Sequence, residues 1–522
     1  MAGPGEVRGS ATSYERVEGI SGWLCEKWGM TLYGFGQTPQ TEQCIEVDGN
    51  RILVEKVPAG DTYTEIPPSS EASKQGPAFE ARATGAPAVW GCACAPETIP
   101  PPEKSGRKIS NNSQPNFTPS MVWTGKEFAV VWISGVKDDH YEDHYAEHYE
   151  DYYHVDFARI DAQGNKIIRR DLSTEGNPAK DDLQLTDSEG VMISSAILLW
   201  AGDGYSLIWG EYTRLEDNIT KLYFMPFRID GRGNIMDEPG LGYPAHKVLV
   251  SKSGKTSGVS AVMIDPSQYG ISWSSEGEGL DRGGALQNYH SLYFVLTSGS
   301  GRRIHYDERL TPIAQSTEDL GPPSLVWNGT DFALSWAEEQ NGNRAIHFAR
   351  VDGHGRKIGD DSKIGEEVPV TKNTVAPRVP SLVWTGSEYG VAWAAESSGS
   401  REIYFARLDA EGKVIGNAVQ ITDGAHRYPF EPSLVWNGTE YGLVWRENDK
   451  RLYFIRINAE GQKLGDPIAI TVNSAVNSAA QLVWNGVRYA VVWSDEYTLV
   501  STDIEDGGVY FDFVDPDHPR VP

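Results

Sequence analysis

The chain has 522 residues, with 46 basic against 73 acidic side chains and a net charge of −27. That balance excludes a nucleic-acid partner, whose phosphates require a basic face, and suits solubility, divalent cations or a basic partner. No run of about 18 apolar residues is present, so no helix is expected to span a membrane.

Residues 1–94 hold all four cysteines: Cys25, Cys44, Cys92 and Cys94. A hairpin signal, Asp48-Gly49-Asn50, separates Cys44-Ile45-Glu46-Val47 from Arg51-Ile52-Leu53-Val54, which read as two strands. A small β-rich domain stapled by two disulfides is expected. Four cysteines allow three pairings. A Cys92–Cys94 bridge would be cramped, so each is expected to pair upstream. Their spacing matches no standard zinc finger. Disulfides imply an oxidising compartment, hence an extracellular, cell-surface or periplasmic protein. Met1-Ala2-Gly3-Pro4 shows no signal peptide. Two readings stay open: a processed chain that has lost a leader or lipid anchor upstream, or a reduced intracellular protein. Residues 95–104, rich in proline, read as a stiff linker.

From residue 105 onward one pattern recurs. A tryptophan is followed nine residues later by another: Trp123 and Trp132, Trp200 and Trp209, Trp327 and Trp336, Trp384 and Trp393, Trp436 and Trp445, Trp484 and Trp493. A worn copy joins Ile264 to Trp273. Self-similarity on this scale predicts a repeat architecture. In the copy that begins at Pro380, Ser381-Leu382-Val383-Trp384 is a short apolar strand and Thr385-Gly386-Ser387-Glu388 a turn. Tyr389-Gly390-Val391-Ala392-Trp393 alternates large and small residues, a period of two. Glu402 to Asp409 reads as a third strand, Asp409 to Gly412 as a tight turn, and Val419 to Thr422 as a fourth strand. Four antiparallel strands make the blade of a β-propeller. Residues 105–522 are therefore expected to form seven blades, with six or eight left open by the worn third copy.

The last copy ends without room for a fourth strand. Arg107-Lys108-Ile109-Ser110, ahead of the first copy, repeats the layout of Val419 to Thr422. The N-terminal side of the propeller is expected to donate that strand and close the ring, leaving no open edge.

The loops between second and third strands share a face with the interblade loops. They are the long, variable ones, so function is expected there. The first holds three near-copies of a tetrad, His140-Tyr141-Glu142-Asp143, His144-Tyr145-Ala146-Glu147 and His148-Tyr149-Glu150-Asp151. Histidines one helical turn apart, with acids beside them, suit a transition metal. The candidate ligands are His140, Asp143, His144, Glu147 and His148, for Zn²⁺, Ni²⁺ or Cu²⁺. The same tract reads equally as a charged low-complexity loop. Its His-x-x-Glu-His string lacks the helix and third ligand of a metalloprotease. Acids recur in the other long loops, among them Glu211, Glu276, Glu338, Glu447 and Asp495. They read as a solvated rim, with calcium as the alternative. Arg159, Arg228, Arg350, Arg407 and Arg456 recur on third strands and predict a structural ion pair per blade.

The pattern Pro-Ser-Leu-Val-Trp-x-Gly, then Ile-Tyr-Phe-Ala-Arg-Leu-Asp, then a glycine turn and Val-x-Ile-Thr, resembles a repeat of large bacterial exported proteins frequent among predicted lipoproteins of myxobacteria. The resemblance covers the propeller and implies fold and export, with no activity attached. No Gly-x-Ser-x-Gly, phosphate loop or dinucleotide fingerprint occurs. The expected function is binding or scaffolding, through the long-loop face, of a protein or surface glycan. A glycan-acting enzyme or carbohydrate-binding propeller is the alternative.

Overall fold

A computed structural model describes residues 42–47, 50–55, 80–81 and 89–90, and the chain from 106 onward except 112–115, 137–151, 169–181, 187–190, 214–218, 231–233, 237–246, 281–285, 305–312, 317–319, 341–342, 364–377, 398–399, 424–427, 449, 472–475, 477–479, 496–497, 501–502, 506–507 and 516–522. The chain divides into two compact units, Met1–Glu103 and Lys104–Pro522. In the first, Glu42–Val47 pairs antiparallel with Asn50–Glu55, the predicted hairpin, and Glu80–Ala81 pairs with Val89–Trp90. Cys44 stands opposite Leu53. Cys25, Cys92, Cys94 and the side chain of Cys44 lie outside the described residues, as do the expected disulfides.

Among the described residues the second unit holds seven sheets of four antiparallel strands and a two-stranded hairpin, Thr498–Val500 with Asp503–Glu505. Blade 1 comprises Asn116–Trp123, Glu127–Val136, Tyr152–Asp161 and Leu183–Gln184. Blade 2 is Met192–Trp200, Tyr205–Thr213, Ile219–Phe227 and Val248–Ser253. The worn copy forms a full blade 3: Thr256–Asp265, Gln268–Leu280, Leu286–Ser298 and Ala314–Ser316. Blades 4, 5 and 6 start at Ser324, Arg378 and Phe430. Blade 7 takes Gln481–Trp484, Tyr489–Ser494 and Val509–Val514, and then Arg107–Lys108 as its outer strand. Lys108 pairs with Tyr510 and Arg107 with Phe511, so the ring closes as the sequence predicts. The fourth strand of blade 5 starts already at Val414, not Val419. It leaves the turn at once and absorbs a register shift between Phe405 and Arg407. No helix occurs among the described residues, and so none long and apolar enough to cross a membrane.

First strands of successive blades lie side by side around the whole ring, blade 7 against blade 1 included. Each junction between blades holds its own buried cluster. Strand alternation builds these clusters. Phe128, Val130 and Trp132 pack toward blade 7, while Ala129, Val131 and Ile133 pack toward blade 2. The second tryptophan of every pair is at most 2 % exposed. Each such burial contributes about 1.5–3 kcal/mol. The small residues on the other side of the strand admit the next blade's aromatic. A Cβ on Gly390 would stand 2.5 Å from the Tyr441 ring, and one on Gly442 2.4 Å from that of Tyr489.

Polar links cross the same junctions. The serine of the Pro-Ser-Leu-Val-Trp strand accepts a backbone N–H from the next blade. Leu382 N donates to Ser324 Oγ, Leu434 N to Ser381 Oγ and Leu482 N to Ser433 Oγ, each at 3.0 Å. Gln481 Oε1 does the same for Met121 N between blades 7 and 1. The third-strand arginines make the expected ion pairs. Arg159 holds Glu127 through two bonds of 2.6 and 2.7 Å, and Arg407 holds Glu388 through two of 2.7 Å. Arg228 pairs with Asp203, Arg350 with Asp331, and Arg456 lies 3.9 Å from Glu440. Tyr205 and Tyr441, each from the following blade, donate to Glu127 and Glu388. Burial, then the adjacent carboxylate, raises the pKa of both phenols.

Candidate functional site

Alternate residues of a strand share a face, so the residue two past the buried tryptophan lies beside its indole. In four blades that residue is an acid that accepts the indole N–H. Trp209 Nε1 donates to Glu211 at 3.0 Å, Trp336 to Glu338 at 3.1 Å, Trp445 to Glu447 at 3.0 Å and Trp493 to Asp495 at 3.1 Å. All four acids are buried. They are therefore neither a solvated rim nor a shared calcium ring. Each stands in its own blade, where it locks a core ring in place. Buried carboxylates remain only when such donors surround them.

Blades 1, 3 and 5 depart from this rule: Ser134, Ser275 and Ala395 stand two past Trp132, Trp273 and Trp393, and the Trp132 and Trp273 indole N–H groups are buried with no hydrogen-bond partner. Only Trp273 of these lines a cleft among the described residues. Beside it a cleft of about 430 Å³ opens between the outer strand of blade 2 and the second strand of blade 3. Its lining includes Ser251, Lys252, Trp273, Glu276, Tyr293 and Arg303. Ser251 is 2 % exposed, and its hydroxyl also has no partner. A buried polar group left unsatisfied costs about 1–3 kcal/mol, and here two of them line one cleft.

The rest of the lining is well fixed. The Tyr293 ring stacks on Trp273 with centroids 5.5 Å apart at 26°. Ser272 Oγ donates to Tyr293 O at 2.8 Å. Glu276 N donates to Lys255 O at 2.9 Å, which ties the second strand of blade 3 to the connection from blade 2. Arg303 Nε donates to Val250 O at 2.6 Å. Burial lowers the pKa of its guanidinium from the ordinary value. Lys252 and Glu276 are exposed at the lip. The arrangement offers an indole donor, a hydroxyl, two cations and one carboxylate around a partly aromatic floor. It suits a hydroxyl-rich ligand of modest size.

The predicted metal ligands His140, Asp143, His144, Glu147 and His148 lie outside the described residues. At the described base of that loop, Ser134 Oγ donates to Asp156 Oδ2 at 2.6 Å, and His154 Nε2 lies 3.3 Å from the same oxygen. Among the described residues no group of His, Cys, Asp or Glu is arranged to hold a metal ion. The cleft escaped sequence reading because its walls come from two blades. The Trp-x-acid pattern breaks at Trp273-Ser274-Ser275, but also at Trp132-Ile133-Ser134 and Trp393-Ala394-Ala395, so the break alone does not mark the cleft.

No known family's model matches the sequence, and no curated protein matches it. Among solved structures the chain is similar to an α-L-arabinanase of Penicillium chrysogenum complexed with arabinobiose. Identity there is 11 %, over 79 % of this chain and 98 % of that one, with a TM-score of 0.39. It is similar to the BP39L lectin from Burkholderia pseudomallei at 13 % identity, over 77 % and 96 % of the two chains, with a TM-score of 0.43. An α-L-arabinofuranosidase from Fusarium graminearum with an iminosugar inhibitor shares 10 % identity, over 78 % and 97 %, with a TM-score of 0.40. The fold of this chain rests on its own hydrogen-bonded sheets, not on these likenesses.

Proposed function

We propose that the propeller binds carbohydrate and that the cleft between blades 2 and 3 is a sugar site. One observation carries the reading: Trp273 and Ser251 line the same polar cleft, and Trp273 Nε1 and Ser251 Oγ are both buried and unpartnered. Sugar hydroxyls donate and accept, so one hydroxyl pair satisfies both groups. Tyr293, half-buried and braced by the fully buried Trp273 ring on which it stacks, supplies the apolar patch that a pyranose or furanose face requires. Scaffolding through the long-loop face, the first expectation from sequence, offers no account of these two orphaned groups. Export and two disulfides belong to the same proposal, supported by the cysteine count and the repeat's resemblance to exported proteins.

The test is a panel of immobilised glycans probed with the wild-type chain and with Gly277→Trp. Gly277 lines the cleft, and a Cβ added there meets no atom within 4 Å, so the indole fills the cleft without disturbing the core. Binding by the wild type and its loss in the variant is the expected result. Equal binding by both proteins, or no binding to any glycan, would overturn the proposal.

A further inference from the structure

We propose that the sugar held in this cleft carries an anionic group and that Arg303 receives it. The inference rests on the glycan reading and names the class of glycan. Its starting point is a contrast among arginines. Those that recur on third strands each face a carboxylate, as Arg159 faces Glu127 and Arg407 faces Glu388. Arg303 does not. Its one hydrogen bond is from Nε to the Val250 carbonyl, and no ion pair engages it among the described residues. A half-buried guanidinium has five N–H donors and is charged at every working pH. In a chain of net charge −27, carboxylates are the commonest charged neighbours, yet among the described residues none pairs with this one.

The surroundings point the same way. Lys252 lines the same cleft and stands directly opposite Lys221 across blade 2. Among the described residues Glu276 is the one carboxylate in the lining, against two cations. A local cationic patch on an acidic protein attracts an anion at short range. Trp273 Nε1 and Ser251 Oγ then take neutral hydroxyls of the same ring. Carboxylate and sulfate ester both fit a guanidinium fork, and the experiment separates them.

Three oligosaccharides of matched length are titrated into the full chain: a uronate, a sulfated and a neutral one. An anionic oligosaccharide should bind about 10–100-fold tighter than the neutral one, the range of one charge-assisted hydrogen bond. Preference for the uronate assigns a carboxylate, and preference for the sulfated sugar assigns a sulfate ester. Arg303→Gln should reduce anionic binding to the neutral level, a loss larger than any it causes for the neutral sugar. Arg303→Lys keeps the charge and should retain part of the preference, which guards against a general loss of structure in the first variant. Equal affinity for neutral and anionic sugars, or equal losses for both in Arg303→Gln, overturns this inference and leaves the glycan reading standing. Failure of all three sugars to bind overturns both.

Discussion

Closure of the ring by residues ahead of the first blade makes Ile109 a test position. Ile109 is 1 % exposed and belongs to the cluster joining blades 7 and 1, with Trp132, Val509 and Phe511. Its N–H donates to Val509 O at 2.7 Å, and Val509 N donates to Ser110 Oγ at 3.0 Å. Ile109→Ala removes three buried carbons, about 2.4 kcal/mol at about 0.8 per carbon. The residual cavity raises this toward about 3 kcal/mol, inside the range for buried Ile→Ala. Ile421 is the same position in blade 5, also 1 % exposed, with its N–H on Ile403 O at 2.7 Å. The two substitutions should therefore cost about the same. Urea unfolding reads this as a shift in midpoint at constant slope. Only the blade 7 position closes the ring. A chain shortened to begin after Asn111 should expose the edge of Val509–Val514 and form concentration-dependent oligomers in sedimentation. A loss below about 1 kcal/mol for Ile109→Ala, or a shortened chain that stays monomeric and equally stable, would refute the closure.

Three further outcomes follow from the same packing. Gly412→Ala should destabilise by about 2–5 kcal/mol, from left-handed backbone strain and overpacking together, because φ is +92° and a Cβ would stand 2.2 Å from the Phe348 ring; calorimetry measures it, and a neutral result would contradict the close approach. Ser381→Ala strands the N–H of Leu434, so hydrogen exchange at that amide should accelerate and stability fall by about 1–3 kcal/mol. The third outcome concerns acid. Asp161 and Asp352 are partly buried, which opposes ionisation, but turn N–H groups, from Asn165 and Gln163 on Asp161 and from Arg356 and His354 on Asp352, outweigh this and hold both carboxyls below the usual carboxylate range. The unfolded chain then binds more protons between the two values. This stability is present above the ordinary carboxylate pKa and is lost as pH falls through the lower folded value. Melting temperature against pH should fall less steeply below about pH 4 in the double Asp→Asn variant; an unchanged slope would contradict the assignment.

Much of the fold was legible because its signals are local. Alternation in Tyr389-Gly390-Val391-Ala392-Trp393 gave strand and faces, and the Arg107 to Ser110 copy gave the closure. Arginine recurrence gave the ion pairs for the same reason. The acids two past each tryptophan were misread as rim residues because Glu211, Glu338, Glu447 and Asp495 were counted as loop. Continuing the strand two residues turns each toward its indole. The cleft was less legible, since Ser251, Trp273 and Arg303 are distant in sequence and meet only when blades 2 and 3 stack. The histidine tract and three of the four cysteines lie outside the described residues, and their chemistry stands where the sequence left it.

The repeat itself supplies the most direct test of the sugar site. Ser275→Glu installs in blade 3 the acid that blades 2, 4 and 6 place beside their tryptophan, giving the Trp273 indole N–H an acceptor and filling the wall of the cleft. Circular dichroism should show the ring intact. Isothermal titration with the tightest-binding glycan of the panel should show binding lost. An intact Ser275→Glu ring that binds the glycan with wild-type affinity would contradict the assignment of this cleft.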